Sequence, residues 1–235
     1  MADQAFVPAL VVVDFQNDFC APGGALGVTG GKDIAPVVNE LMNLPFALRV
    51  ATQDWHPENH VSFASNHDPP NNKPFESVIV VNNPRNDLES QDVRLWPSHC
   101  VKNSSGAELV PEFDVSDIDM IVKKGQDSRV EMFSAFKDNY KSCVSESELG
   151  PVLRRAGTTH CYIVGLATDY CVKYTALHAA SEGYKTFVVS EATRTVDQSP
   201  AAMTSTEEEL KEAGIRLVSV KGHEVAEVGR IRNRG

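Results

Sequence analysis

Apolar residues along the chain fall into two alternating rhythms. Pro8-Ala-Leu-Val-Val-Val13 is an unbroken apolar, β-branched run, as expected of a strand covered on both faces within a parallel sheet. A helical spacing follows over Asp33–Leu44, with Asp33 as its cap and Pro36 early enough to be tolerated. Phe46–Thr52 and Asp119–Lys123 predict two more strands. Ser145–Ala156 predicts a helix closed by Gly157, and His160–Gly165 a strand. From Cys171, apolar Val172, Ala176, Ala179 and Ala180 recur at helical spacing until Gly183. Lys185–Ser190 and Ile215–Val220 are further strands, separated by a Glu-rich helix that Ser199-Pro200 opens and Gly214 ends. Strand and helix alternate throughout. The pattern predicts a doubly wound, three-layer α/β/α fold with a mainly parallel sheet of about six strands. A single domain is expected over residues 1–225, with 226–235 a flexible basic tail. The stretch from His56 to Ser116 holds one short apolar run, Val78–Val81, and otherwise reads as loop. Loops of that length in a compact domain are usually functional or disordered.

Composition narrows the partners. A net charge of −10 argues against nonspecific binding to nucleic acid or to an anionic membrane surface. No apolar run reaches the ~18–20 residues that span a bilayer. The first residues, Met-Ala-Asp-Gln, lack the basic and apolar regions of a signal peptide. Five cysteines, an odd number without a Cys-x-x-Cys pair, fit a reducing compartment better than a disulfide framework. A cytoplasmic protein acting on a small molecule is the expectation.

Chemistry gathers at the ends of the predicted strands. The first ends in Asp14-Phe-Gln-Asn-Asp-Phe19, the second in Asp54-Trp-His-Pro57, the third in Lys123-Lys124-Gly125, and the fourth in the turn leading to Cys171. Open α/β sheets bind ligands at the carboxyl ends of their strands. A carboxylate, an Asp/His pair, a lysine and a thiol therefore converge on one crevice. Each alone has a plainer reading: a strand-end Asp usually caps a turn, a Lys is usually solvated, and a lone Cys is usually packed. Together they describe a nucleophile, its proton acceptor and a cation holding both. Cys171 in the first turn of a helix would have its thiolate stabilised by free N–H groups and the helix dipole. Asp54 and His56, two residues apart in an extended segment, point to the same side, and His99 is the candidate third ligand. One carboxylate and two imidazoles suit Zn²⁺, Mn²⁺ or Fe²⁺. His60 is a possible further ligand or a partner of the ligands, and His67 is expected to be solvated. Phe19, Trp55, Trp96 and Phe133 are candidate walls for an aromatic ring.

In order, Asp14-Phe-Gln-Asn-Asp-Phe19, Asp54-Trp-His-Pro57, Trp96-Pro-x-His-Cys100, Lys124-Gly125 and Gly165-x-Ala-x-x-Tyr-Cys-Val172 resemble the nicotinamidases, also called pyrazinamidases, of the isochorismatase-like cysteine hydrolases. The resemblance runs from about residue 8 to 220, and its wording is closest to fungal-type members, from which Gln126–Met132 departs. It implies a triad of Asp14, Lys124 and Cys171, with Lys124 preferred over Lys123 because the family's lysine directly precedes the glycine. It implies an oxyanion hole from the N–H groups of Ala167 and Cys171, and a cis peptide at Leu166–Ala167. It also implies a divalent metal, first of all zinc, on Asp54, His56 and His99, with Phe19, Trp96 and Phe133 around a pyridine carboxamide. Hydrolysis of nicotinamide to nicotinate and ammonia, in NAD salvage, is the expected activity, by a homo-oligomeric enzyme. The alternatives are a related amidase or carbamoyl hydrolase with another acyl group, and a noncatalytic scaffold.

Overall fold

The computed structural model describes residues 5–231. Its centre is a six-stranded sheet in the order β5-β2-β1-β6-β7-β8, every neighbouring pair parallel. The strands are β1 (Pro8–Val13), β2 (Leu48–Asp54), β5 (Met120–Lys124), β6 (His160–Leu166), β7 (Lys185–Arg194) and β8 (Arg216–Val218). β3 (Val78–Asn83) and β4 (Asn86–Arg94) form a separate antiparallel hairpin. β1 and β6, at the middle of the sheet, are apolar on both faces and buried along almost their whole length. On one face, α1 (Ala35–Met42) and α5 (His223–Gly229) pack Val38, Leu41, Val225 and Val228 against Leu10, Val12 and Tyr162. On the other, α2 (Leu149–Arg155), α3 (Lys173–Ser181) and α4 (Pro200–Glu212) pack Val152, Ala176 and Leu210 against Val11, Val50 and Ile163. The expected three-layer α/β/α arrangement is present.

Several element boundaries differ from the sequence expectation, each for a local reason. Asp33 does not cap α1: it lies inside a 3₁₀ turn, Gly31–Ile34, and the helix starts after it with no side-chain cap. α2 begins four residues later than expected because the carboxylate of Asp138 accepts the N–H groups of Val144 and Ser145. β8 stops at Val218 because Ser219 Oγ and the Val220 N–H donate to Glu191 instead of extending the ladder. The tail expected from residue 226 is helical to Gly229, with Val228 fully buried and Tyr162 Oη donating to the Glu224 carbonyl. Residues 232–235 of that expectation lie outside the described residues. The long segment read as loop contains the hairpin, whose second strand is too polar to show a strand rhythm.

Candidate active site

β1 delivers the first group. Asp14 follows its last residue and takes a left-handed backbone conformation, φ 46°, that turns the chain out of the sheet. Neighbouring β2 holds it there: Thr52 Oγ1 accepts the Asp14 N–H at 3.0 Å and donates its own proton to Asp14 Oδ1 at 2.6 Å. β5 decides between the two lysines by its pleat. Successive side chains face opposite sides, so Lys123 lies outside over the Trp55 ring at 3.5 Å, whereas Lys124 is buried in the site. Trp55, expected as a wall, is occupied by that contact and does not line the cavity.

Lys124 Nζ stands 3.0 Å from Asp14 Oδ2, 2.6 Å from Asp54 Oδ1 and 3.6 Å from Cys171 Sγ, and donates to the Met132 carbonyl at 3.0 Å. Asp14, Lys124 and Cys171 are all buried. One ammonium between two carboxylates leaves a negative charge in excess, which burial makes costly unless a proton or a cation offsets it. Burial pushes the Asp14 carboxyl up, against the pull of Lys124. It also pushes Asp54 up, but Lys124, His56 and His99 outweigh it and hold that carboxyl well below the usual range. Burial pushes the Cys171 thiol well above its ordinary value, with Lys124 only partly opposing it. In this site burial outweighs whatever the helix start and Lys124 offer to a thiolate. Cys171 directly follows the kink at Tyr170 in the wide turn Thr168–Val172 and runs through Val172 into α3, so it does stand at the start of that helix. The protein at rest holds a thiol that needs a proton acceptor, and Asp14 is that acceptor's natural candidate.

Asp54, His56 and His99 bring their ligand atoms within 4.8 Å of one another, and all three are buried. His56 Nδ1 contacts the Gly125 carbonyl and His99 Nδ1 the Pro97 carbonyl, each at 2.8 Å. A ring proton shared with a carbonyl leaves Nε2 as the ligand atom. His56 Nε2 is buried 3.5 Å from Asp54 Oδ2. Burial pushes that ring down, but the Asp54 charge outweighs it and raises its proton affinity, so a cation bound there displaces the proton. Burial pushes His99 down to about 3, so its ring is neutral. An oxygen and two imidazole lone pairs, converging in a site with excess negative charge, fit a divalent cation. Gly125 is confined to this arrangement: its φ is 65° and a Cβ would overlap the His56 ring. His60 stacks on His56 with ring centroids 4.1 Å apart and its Nδ1 contacts Ser62 Oγ at 2.8 Å, but it lies outside the cluster of ligand atoms. His67 is half-buried, with Nε2 at 2.7 Å from the Val61 carbonyl, rather than solvated.

Cys171 of the first group and Asp54 and His99 of the second reach one cavity of about 280 Å³, lined also by Phe19, Trp96, Phe133 and Ala167. Tyr170 packs between Trp96 and Phe133, at centroid distances of 5.4 and 5.5 Å. The Leu166–Ala167 peptide is cis, as the resemblance implied. Sequence reasoning missed the Ala25–Val28 wall, which carries no chemical signal, and Glu131. Glu131 is 5% exposed, its carboxyl pushed up by burial, and a lone acid amid Val130, Met132 and Phe133 was its only trace.

Known proteins share this arrangement of sequence and fold. The isochorismatase domain family matches residues 8–226. A nicotinamidase of Acinetobacter baylyi is 37% identical, over 90% of this chain and 92% of its own. The crystal structure of yeast nicotinamidase bound to the inhibitor nicotinaldehyde superposes with a TM-score of 0.83 at 37% identity, over 90% of this chain and 99% of that one. A pyrazinamidase of Pyrococcus horikoshii in complex with zinc gives a TM-score of 0.68 at 34% identity, over 91% and 99% of the two chains.

Proposed function

The chain belongs to the isochorismatase family, and from that premise we propose that it is a nicotinamidase, hydrolysing nicotinamide to nicotinate and ammonia and accepting pyrazinamide. The observation that carries the reading is one cavity wall that presents Cys171, backed by buried Asp14 and Lys124, beside Asp54 and His99 of a ligand set for a cation. The similarity to nicotinamidases over nine-tenths of the chain supports the substrate class. Zinc is the ion proposed for Asp54, His56 and His99, by analogy with the zinc-bound pyrazinamidase. Bound there, the ion supplies a Lewis-acid anchor for a ring nitrogen.

The chain's own residues carry the reaction. Phe19, Trp96 and Phe133 enclose the flat ring and exclude water. Asp14 takes the Cys171 proton, and the sulfur attacks the carboxamide carbon as the carbonyl bond becomes an oxyanion. The N–H groups of Ala167 and Cys171 hold that oxyanion, where one such donor contributes roughly 3–4 kcal/mol. Collapse of the oxyanion breaks the C–N bond, Asp14 returns the proton to the leaving nitrogen, and ammonia departs from a thioester. Water, deprotonated by Asp14, attacks the thioester; nicotinate leaves and the sulfur recovers its proton. Lys124 fixes the carboxylate throughout and offsets the charge on sulfur. Cys171→Ala tests the scheme: ammonia release in a coupled assay should vanish while zinc content and circular dichroism stay unchanged. Turnover retained in that variant removes the nucleophile assignment. Turnover of other amides in preference to nicotinamide and pyrazinamide would favour a relative with another acyl group. An intracellular setting and a homo-oligomeric assembly belong to the same proposal, and sedimentation velocity reads the assembly.

A further inference from the structure

The segment after β1 contains polar groups that the chemistry leaves unused. Gln16 clamps the backbone of Asp54: its Oε1 accepts the Asp54 N–H, and its Nε2 donates to the Asp54 and Ala107 carbonyls, all at 2.8 Å. Asp18 reaches two other loops at once. Its Oδ2 accepts the Cys100 N–H at 2.7 Å, and its Oδ1 accepts the Ala25 N–H at 3.3 Å. Its main-chain carbonyl accepts the Leu26 N–H at 2.9 Å.

The two loops have different duties. Cys100 directly follows His99, and its backbone lies in the left-handed region at φ 44°. A non-glycine residue keeps such a conformation only where its surroundings hold it, and a carboxylate accepting its N–H is a strong restraint. His99 takes its ring orientation from the Pro97 carbonyl of the same turn, so displacing the turn displaces the ligand. Ala25 belongs to the Ala25–Val28 wall of the cavity. On the far side, Gly106 gives the carboxylate its space, because a Cβ there would overlap both Asp18 oxygens. Three loops thus close around one side chain.

We propose that Asp18 is a positioning residue that holds the Cys100 turn, and with it His99, in metal-binding geometry while fixing the Ala25–Val28 wall against the substrate. The inference rests on reading Asp54, His56 and His99 as metal ligands, and the experiment separates the two. Zinc affinity is measured on the full chain by competition with a chromophoric chelator, beside steady-state kinetics on nicotinamide at saturating zinc. Wild type and His99→Ala set the frame: equal affinity in these two defeats the ligand reading, whatever Asp18 does. Given a His99→Ala that has lost zinc, Asp18→Ala should weaken zinc by about 10–100-fold and, with zinc restored, raise KM more than it lowers kcat. Asp18→Asn keeps an oxygen that can accept from Cys100 and should stay within about threefold of wild type for zinc. Undiminished zinc affinity in Asp18→Ala overturns the proposal, as does Asp18→Asn losing zinc as fully as Asp18→Ala. An unchanged KM in Asp18→Ala removes the wall. Where Asp18→Ala does not fold, Gly106→Ala, which drives the carboxylate off the Cys100 N–H, takes its place, and undiminished zinc affinity there overturns the proposal equally.

Discussion

Lys124 is the residue on which the site's electrostatics turn. Its ammonium is fully enclosed and pairs with Asp14 and Asp54 at once. Removing it in Lys124→Met leaves the Asp14 carboxylate buried without its counter-charge, a loss that typically costs about 3–5 kcal/mol. Urea denaturation of the variant should show a destabilisation of that size, and ammonia release should disappear with it. Asp14→Asn should behave differently. Lys124 keeps Asp54 as its partner at 2.6 Å, so the fold survives, while the group proposed to take the thiol proton is gone. Its kcat/KM on nicotinamide should fall by about 10²–10⁴-fold, the usual share of a general base, with the melting temperature close to wild type. A variant that melts normally and turns over normally would remove Asp14 from proton transfer.

Elements place these residues by simple periodicities, and where the periodicity is broken by side-chain chemistry the sequence misleads. The pleat of β5 alone assigns the two adjacent lysines to opposite sides of the sheet. The Glu191 and Asp138 carboxylates accept backbone N–H groups and cut β8 and α2 short, the first from 29 residues away, the second from 6 residues away by a side-chain contact that apolar periodicity does not register. α5 carries too short an apolar face, Val225 and Val228, to show a helical rhythm in the sequence, yet both are buried against the sheet layer. Deleting residues 223–235 should therefore destabilise the protein by about 3–6 kcal/mol, at roughly 1.5–3 kcal/mol for each buried valine. Chemical denaturation of the truncated chain measures it, and stability equal to the full chain would show that α5 contributes nothing to the core.

At the scale of the whole molecule, stability should depend on histidines far from the cavity. Burial, then Lys185, pushes His160 down, and burial, then Lys137, pushes His178 down. The folded protein thus binds fewer protons at these rings than the unfolded chain, so stability rises with pH there. The contribution is present above the unfolded value near 6.5 and is lost as pH falls through the folded values. Unfolding free energy should drop between about pH 7.5 and pH 5, and His160→Gln with His178→Gln should flatten the slope. The order of strands and helices was legible in the chain because a sheet covered on both faces demands continuous apolar strands such as Pro8–Val13. The residue types at the strand ends were legible for a related reason: each has a plainer use alone, but parallel strands bring their carboxyl ends to one edge, so the carboxylate, lysine and thiol had to meet there. What the chain could not disclose was distance. The excess negative charge around Lys124, the raised proton affinity of Cys171 and Asp14, the buried Glu131 and the Asp18 bridge arise between segments distant in sequence, with 47 residues between Lys124 and Cys171 and 82 between Asp18 and Cys100. Burial and through-space charge are set by what packs against a group, and that is decided only when β1, β2, β5 and β6 lie side by side.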